Sequence, residues 1–316
     1  MLNIYCSDAD GKLTELTLDT LKPGAWISIT DPTPYELKIV AEVTEVEPDF
    51  LRSALDDEER SHTDVEDNAV MVLTNVPVVR DGEYDALPLA IILTEDYIIT
   101  VCLEETVVMS EFNERTARLF RTFKKTRFLF QILYKSATYY LRYLRQISRQ
   151  SEEIEDRLRV SMKNRDILRL LELQKGLTYF NAALRSDGVV LDKLLRVRAN
   201  HVPTNIIRIY EEDEELLEDV IIENKQAREM VEMYGKILAR QADTFSSIIS
   251  NNQNSVMKFL AAMTIIIAIP TVIASFFGMN VPVPFSENQN GFLYIMIIAV
   301  IGSAVLAYTF WRRNMF

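Results

Sequence analysis

"FLAAMTIIIAIPTVIASFFGM", residues 259–279, and "FLYIMIIAVIGSAVLAYTFW", residues 292–311, are two long apolar runs near the end of a 316-residue chain. No charged residue occurs between Lys258 and Glu287, or between Glu287 and Arg312. Each run is close to the ~20 residues that a helix needs to cross a bilayer. Two buried helices of a soluble core are the alternative, but such helices are normally shorter and amphipathic. We therefore expect a two-helix transmembrane hairpin.

The charged residues that flank the two runs predict the orientation of this hairpin. Lys258 precedes the first run, Arg312 and Arg313 follow the second, and the connecting loop has no basic residue. Because basic residues concentrate on the cytoplasmic side of membrane proteins, we expect both termini in the cytoplasm and the loop outside. The chain is then a multi-pass protein of the cell (inner or plasma) membrane.

Composition narrows the classes of partner and site. The formal net charge of −12 argues against nucleic acid as a partner and is compatible with a cation-handling surface. Cys6 and Cys102 are the two cysteines, too far apart in sequence for a typical zinc or disulfide framework, which fits a reducing cytosol. His62 and His201 are isolated, and no catalytic constellation or phosphate-binding loop stands out. We do not expect an enzyme.

The first hundred residues have the pattern of an α/β domain. The runs rich in β-branched residues that predict strands are 25–30, 69–79, 87–94 and 97–103. Residues 32–44 and 48–55 predict short helices between them. Strand order does not follow from these patterns.

From about Met109 onward the pattern is helical. Residues 113–150 carry ten Lys or Arg and one acid, Glu114. Such a helix could bind nucleic acid or anionic lipid. We favour a basic face that meets acidic neighbours of the same protein, because acids follow directly after residue 150. Residues 164–197 predict a second amphipathic helix packed back on the first.

A long stalk helix is predicted from about residue 204 into the first apolar run. Between Pro203 and Pro270 there is no proline and a single glycine, Gly235. Apolar residues recur at the three- and four-residue spacing of a heptad seam, at Leu217, Val220, Ala227, Val231, Tyr234, Leu238, Phe245 and Ile248. A seam of this length predicts a partner, and hence an oligomer.

Five segments together resemble the CorA family of magnesium channels, over essentially the whole chain. Near the C-terminus they are "NSVMKFL" (254–260), "AIPTVIASFFGMN" (268–280) and "FWRR" (310–313). In the N-terminal half they are "ITDPTPYE" (29–36) and "ALDDEERSHTDVEDNAVMVLTNVP" (54–77). The tripeptide Gly278-Met279-Asn280 at the end of the first of two terminal spans is the most specific of these features.

The resemblance implies an α+β fold assembled as a homopentameric funnel, in which the first spans line one central pore. The expected segments are a cytoplasmic α/β domain (1–108), a helical cytoplasmic segment (109–202), a stalk helix (203–258), transmembrane helix 1 (259–279), an outer loop (280–291), transmembrane helix 2 (292–311) and a cytoplasmic tail (312–316).

The resemblance also implies the site residues. Gly278, Met279 and Asn280 correspond to the selectivity filter, with Asn280 in a ring of five amides. Mg²⁺ gives up its first-shell waters reluctantly, and neutral amide oxygens can accept hydrogen bonds from those waters. The alternative role for Asn280 is a helix C-cap. The residues expected to line the pore are Asn254, Met257, Leu260, Ala268, Thr271 and Ser275.

An acidic run, "EEDEELLED" (211–219), has seven carboxylates in nine residues. It is either a solvated helix face or part of an interface at which a divalent ion bridges subunits. The family implies the second role, a magnesium sensor that closes the pore, with Asp219 at a matching sensor position. Asp243, further along the helix, matches a pore-side acid of the family. Mg²⁺ is then both the transported ion and the regulatory ion.

The resulting hypothesis is passive uptake of Mg²⁺, and also of Co²⁺ and Ni²⁺, through a channel. One alternative is a zinc transporter of the same architecture, because the outer loop has only one acid, Glu287, and the basic tail is thin. Against this, no His or Cys lies near the pore segments. The other alternative is a non-conducting membrane-anchored scaffold, which would not need Gly278-Met279-Asn280.

Overall fold

The computed structural model of the chain describes residues 1–66, 68–161, 163–200, 206–207, 209–279, 284 and 290–313, without the side chains of 197–200. The chain divides into two compact units, Met1–Ala242 and Asp243–Phe316. The first contains a sheet and most of the helices. The second contains the C-terminal part of the longest helix and the last helix. His201 lies outside the described residues.

The first unit is built on a seven-stranded sheet. Its strands are β1 (Leu2–Ser7), β2 (Leu13–Leu16), β3 (Trp26–Thr30), β4 (His62–Val65), β5 (Ala69–Arg80), β6 (Glu83–Thr94) and β7 (Ile98–Cys102). The order across the sheet is β2-β1-β3-β7-β6-β5-β4. β3 and β7 pair in parallel, and the other neighbours pair antiparallel. The four strands predicted from β-branched runs are β3, β5, β6 and β7, whereas β1, β2 and β4 were not predicted.

Helices cover both faces of this sheet. On one face, α1 (Pro34–Thr44) and α2 (Pro48–Arg52) pack their buried residues into the core formed by the strands. α1 begins with a capping box, in which Thr33 N donates to Glu36 Oε2 at 2.8 Å and Glu36 N donates to Thr33 Oγ1 at 3.3 Å. On the other face lie two long helices, α4 (Lys125–Val160) and α5 (Asn164–Asn200). β5 and β6 are therefore buried along nearly their whole length.

Two helix boundaries differ from the prediction. A short helix, α3 (Val107–Ser110), is followed by turns, and the long helix α4 begins only at Lys125. The turns form because the Asn113 side chain accepts from Arg115 N at 2.9 Å, which competes with helical bonding. The stalk helix, α6 (Glu211–Phe277), begins at residue 211 and not at about residue 204. The described residues between 206 and 210 are not helical.

Most residues of the heptad seam of α6 are buried within their own chain, so the seam by itself does not indicate an oligomer, which stays a prediction. Leu217, Val220, Ala227, Val231, Leu238 and Phe245 are buried, Tyr234 is half-buried, and Ile248 is exposed. Within the first unit, Val220 lines the same small cavity as Leu133 of α4 and Val190 of α5. The periodicity correctly indicated a buried face, and at Val220 the neighbours of this face are α4 and α5.

The basic segment meets acidic neighbours of the same chain, as we favoured. Arg127 Nη1 lies 3.1 Å from Asp213 Oδ1, and Lys124 Nζ lies 3.8 Å from Glu212 Oε2. Asp213 is buried, and its other oxygen accepts from Tyr210 N at 3.4 Å, which caps the start of α6. Part of the acidic run therefore stabilises a helix start.

A buried carboxyl, Asp187 of α5, joins this helix to the sheet. Its Oδ1 accepts three hydrogen bonds, from Ser61 Oγ at 2.7 Å, Thr74 Oγ1 at 2.9 Å and Asn75 N at 2.9 Å. Burial raises the pKa of Asp187 to about 6, and the three hydrogen bonds oppose the rise only in part. This cluster could not be predicted from the sequence, because its members come from three separate segments.

Candidate functional site

The second unit is a helical hairpin that consists of the end of α6 and α7 (Gly291–Arg312). Both helices are long and apolar enough to cross a membrane. Ser303 Oγ of α7 donates to Ile266 O of α6 at 3.5 Å. A Cβ added at Gly302 would lie 3.4 Å from Ile269 Cγ2, so the small residue lets the helices approach closely. Ala262 is fully buried.

The face of α6 that contacts α7 is a single stripe. The residues of this span that are buried or half-buried are Ala262, Ile266, Ile269, Ile273 and Phe277. Their spacing of three and four residues places them within about 40° of one direction, at about 100° per residue. This stripe defines the orientation of the first span, since the opposite side of the helix faces away from α7.

Five of the six residues expected to line the pore lie on that opposite side. Met257, Leu260, Ala268, Thr271 and Ser275 point within about 40° of the direction opposite to the contact stripe, and all are exposed. Asn254 is exposed too, but it is turned about 80° from that direction. The first five residues therefore form one face of the helix, and the role of all six in a pore remains a prediction.

The outer end of the first span is described as far as Met279. α6 ends at Phe277, and Gly278 N donates to Ala274 O at 2.9 Å. A Cβ on Gly278 would lie 3.3 Å from that carbonyl oxygen, so the close approach of the backbone favours glycine. Met279 is 54% exposed. Asn280 and Glu287 lie outside the described residues.

The two candidate metal-binding acids, Asp219 of the predicted sensor and the pore-side Asp243, are both exposed on α6. Among the described residues of the chain, no group of three or more His, Cys, Asp or Glu side chains could hold a metal ion. A metal bound at Asp219 would therefore need ligands from another molecule or from water. The structure of a single chain therefore does not test the predicted sensor.

Sequence reasoning missed one polar residue of the first span. Thr264 is exposed and points about 180° away from the contact stripe, on the same face as Thr271. Its Oγ1 donates to Leu260 O at 2.8 Å. The signal was available in the sequence, because Thr264 precedes Thr271 by seven residues, which is about two helical turns.

Comparisons with known proteins agree with one another over nearly the whole chain. The family model described as "CorA-like Mg2+ transporter protein" matches residues 23–313. A relative from Methanocaldococcus jannaschii, named "Cobalt/magnesium transport protein CorA", is 24% identical over 328 residues, which covers 99% of each chain.

Solved structures share the fold. The complete structure of the CorA magnesium transporter from Methanocaldococcus jannaschii matches with a TM-score of 0.81 and 22% identity, and covers 99% of this chain and 98% of that one. The full-length CmaX protein matches with a TM-score of 0.72 and 14% identity, and covers 99% and 97% of the two chains. At these identities the likeness establishes the architecture: an α/β N-terminal domain, a long helix and two apolar C-terminal helices.

Proposed function

The chain belongs to the CorA-like Mg²⁺ transporter family, and we propose that it is a channel through which Mg²⁺ enters the cell down the membrane potential. The family match over residues 23–313, joined to Gly278-Met279-Asn280 at the end of the first apolar helix, carries this proposal. It is a family of membrane transporters of divalent cations and not of enzymes. The direction of transport, the ion preference and the gating are the proposed parts.

In this mechanism the ion is recognised at the outer end of the first span. The amide oxygen of Asn280 from each copy accepts hydrogen bonds from the waters that surround Mg²⁺. Amides suit this role, because Mg²⁺ keeps its waters and a ring of carboxylates would hold the ion more tightly. Next to it, α6 ends at Phe277, and the hydrogen bond from Gly278 N to Ala274 O at 2.9 Å supports a turn at Gly278.

The exposed face of α6 that is opposite to α7 supports the proposed route through the membrane. An ion on this route passes residues such as Thr271 and Ser275 and meets no charged side chain within the span. No ATP is needed, because an inside-negative potential of 100 mV favours entry of a divalent cation by ~4.6 kcal/mol. With a positive-inside orientation, the entry side is the loop between the two spans.

A pore needs several copies, and we propose a homopentamer, as the family resemblance implies. In the first unit, the side of α6 opposite to the buried seam exposes Ile222, Met233 and Ile237. Asp219 lies on the same side, within about 65° of its centre. These residues supply an apolar surface for a second copy and carboxylates for a shared regulatory Mg²⁺. Mass measurement in mild detergent should give five copies, and a stable monomer would contradict the pore.

The experiment that tests the function is ion uptake by proteoliposomes that contain the purified full chain. The wild type should take up Mg²⁺ in response to an inside-negative potential, and parallel assays with Co²⁺ and Zn²⁺ would rank the ions. Asn280→Ala should assemble normally and lose most of the uptake, whereas Asn280→Asp should change the selectivity. Asn290→Ala, which removes an amide at the start of α7, is the matched control. If Asn280→Ala transports Mg²⁺ at the wild-type rate, Asn280 is a helix cap.

A further inference from the structure

All hydroxyl side chains of the first apolar run lie on one side of its helix. Residues 259–279 contain three of them, Thr264, Thr271 and Ser275, and each is exposed. Their directions fall within about 20° of the one opposite to the stripe that contacts α7. Thr264 is the most central of the three on this face. The other side of the same helix is apolar.

The hydrogen bonds within the helix determine what these hydroxyl groups can offer to a ligand. Thr264 Oγ1 donates to Leu260 O at 2.8 Å, and Thr271 Oγ1 donates to Ile267 O at 3.0 Å. Because the single hydroxyl proton is used inside the helix, the lone pairs of the oxygen remain as acceptors on the outer surface. The waters around a cation point their hydrogens outward and require acceptors. The chemistry of this face therefore matches a hydrated cation.

We propose that Thr264 is a further ion-pathway residue, whose hydroxyl oxygen accepts hydrogen bonds from the hydration shell of the passing divalent cation. It forms a second hydroxyl position about 10.5 Å along the helix from Thr271, on the side away from Gly278. This inference rests on the proposed function, since the ion and the neighbouring copies of the chain come from there. Along the same face Thr264 is flanked by Leu260 on one side and by the small residue Ala268 on the side toward Thr271.

Flux measurements on threonine variants test the acceptor role. Thr264→Val has nearly the same shape and lacks the oxygen, so Mg²⁺ uptake by proteoliposomes should fall roughly three- to tenfold, the range expected for the loss of one hydrogen bond. Thr264→Ser keeps the hydroxyl group and should retain uptake near the wild-type rate. Thr309→Val is the matched control, because Thr309 of α7 also donates to its own helix, at 3.0 Å to Val305 O. All variants should keep the wild-type mass in detergent.

Thiol labelling distinguishes failure of this inference from failure of the proposed function. The native Cys6 and Cys102 are buried and give a low background. A water-soluble cationic methanethiosulfonate reagent should modify Thr264→Cys in vesicles faster than Thr309→Cys, and the modification should block Mg²⁺ uptake. A wild type that takes up no Mg²⁺ would contradict the proposed channel function. The labelling rates would still report whether residue 264 is accessible to water. Thr264→Val with wild-type uptake, or Thr264→Cys labelled no faster than Thr309→Cys, would overturn the inference.

Discussion

Asp187→Asn is the substitution whose effect on stability follows most directly from the structure. All three hydrogen bonds to Asp187 end on Oδ1, so an asparagine with its oxygen in the same place keeps them. The change removes the cost of holding an ionised carboxyl away from water. We therefore expect the variant to be more stable than the wild type when Asp187 is ionised, and equally stable when it is protonated.

The size and the pH range follow from the pKa of Asp187. The folded pKa of about 6 is above the ordinary aspartate pKa of 3.8, so the folded state binds the proton more tightly than the unfolded state. The stability that this proton confers is fully present below about pH 4 and is lost as the pH rises through about 6. A difference of about 2 pKa units corresponds to about 3 kcal/mol. For a unit of this size, that is a difference in Tm of about 6–12 °C.

The measurement is thermal unfolding of the full chain in detergent between pH 4 and pH 8. The difference in Tm between Asp187→Asn and the wild type should be near zero at pH 4, and should grow through pH 6 to a plateau. Asp192→Asn is the matched control, because Asp192 is an exposed acid on the same helix. A difference that does not depend on pH would refute the raised pKa. A variant less stable than the wild type at every pH would mean that the three donors require the charge.

Two further predictions use the same stability assay. Gly176→Ala should destabilise the chain by about 1–3 kcal/mol, because the new Cβ would lie 2.8 Å from Tyr84 Cβ. Gly235→Ala, with no atom within 4 Å of its Cβ, should stabilise the chain by up to about 1 kcal/mol. Equal effects of the two substitutions on stability would refute the packing argument. Millimolar Mg²⁺ should raise the wild-type Tm through binding linkage. Asp219→Ala should reduce that gain in Tm and leave more channels open at high internal Mg²⁺. If the variant responds to Mg²⁺ as the wild type does, Asp219 is simply a solvated residue of the helix surface.

The elements that could be predicted are those whose own residues determine them. The long β-branched runs of β5 and β6 are buried on both faces, so their composition is distinctive. β2 and β4 have four residues each and lie at the edges of the sheet, where exposed polar residues alternate with few apolar ones. Such edge strands form because a neighbouring strand offers hydrogen bonds, and a local sequence pattern contains no information about that neighbouring strand. The segment between Glu111 and Lys124 was mistaken for a helix because its apolar residues form an aromatic cluster in turns.

The candidate site had a similar limit. The sequence identified the two spans and the tripeptide Gly278-Met279-Asn280, but it could not determine which side of the first span faces α7. The contacts of Ile266 and Ile269 with α7 orient the helix, and this orientation places Thr264 and Thr271, which are seven residues apart in the sequence, on the side away from α7. A periodic sequence pattern predicts that a helix has a buried face, whereas the element that covers this face is known only from the tertiary structure.

In each unit, α6 uses one side for its own chain and exposes the other. In the first unit the exposed side carries Asp219 beside Ile222, and in the second unit it carries Thr264 and Thr271. Acids near an apolar surface repel one another when copies assemble unless a cation lies between them, and hydroxyl groups in an apolar span gain little from lipid. Both arrangements fit the proposed channel, in which several copies of the chain surround a path for ions. We therefore expect the exposed side of this helix to be the one that meets the other copies of the chain and the ion in the proposed channel.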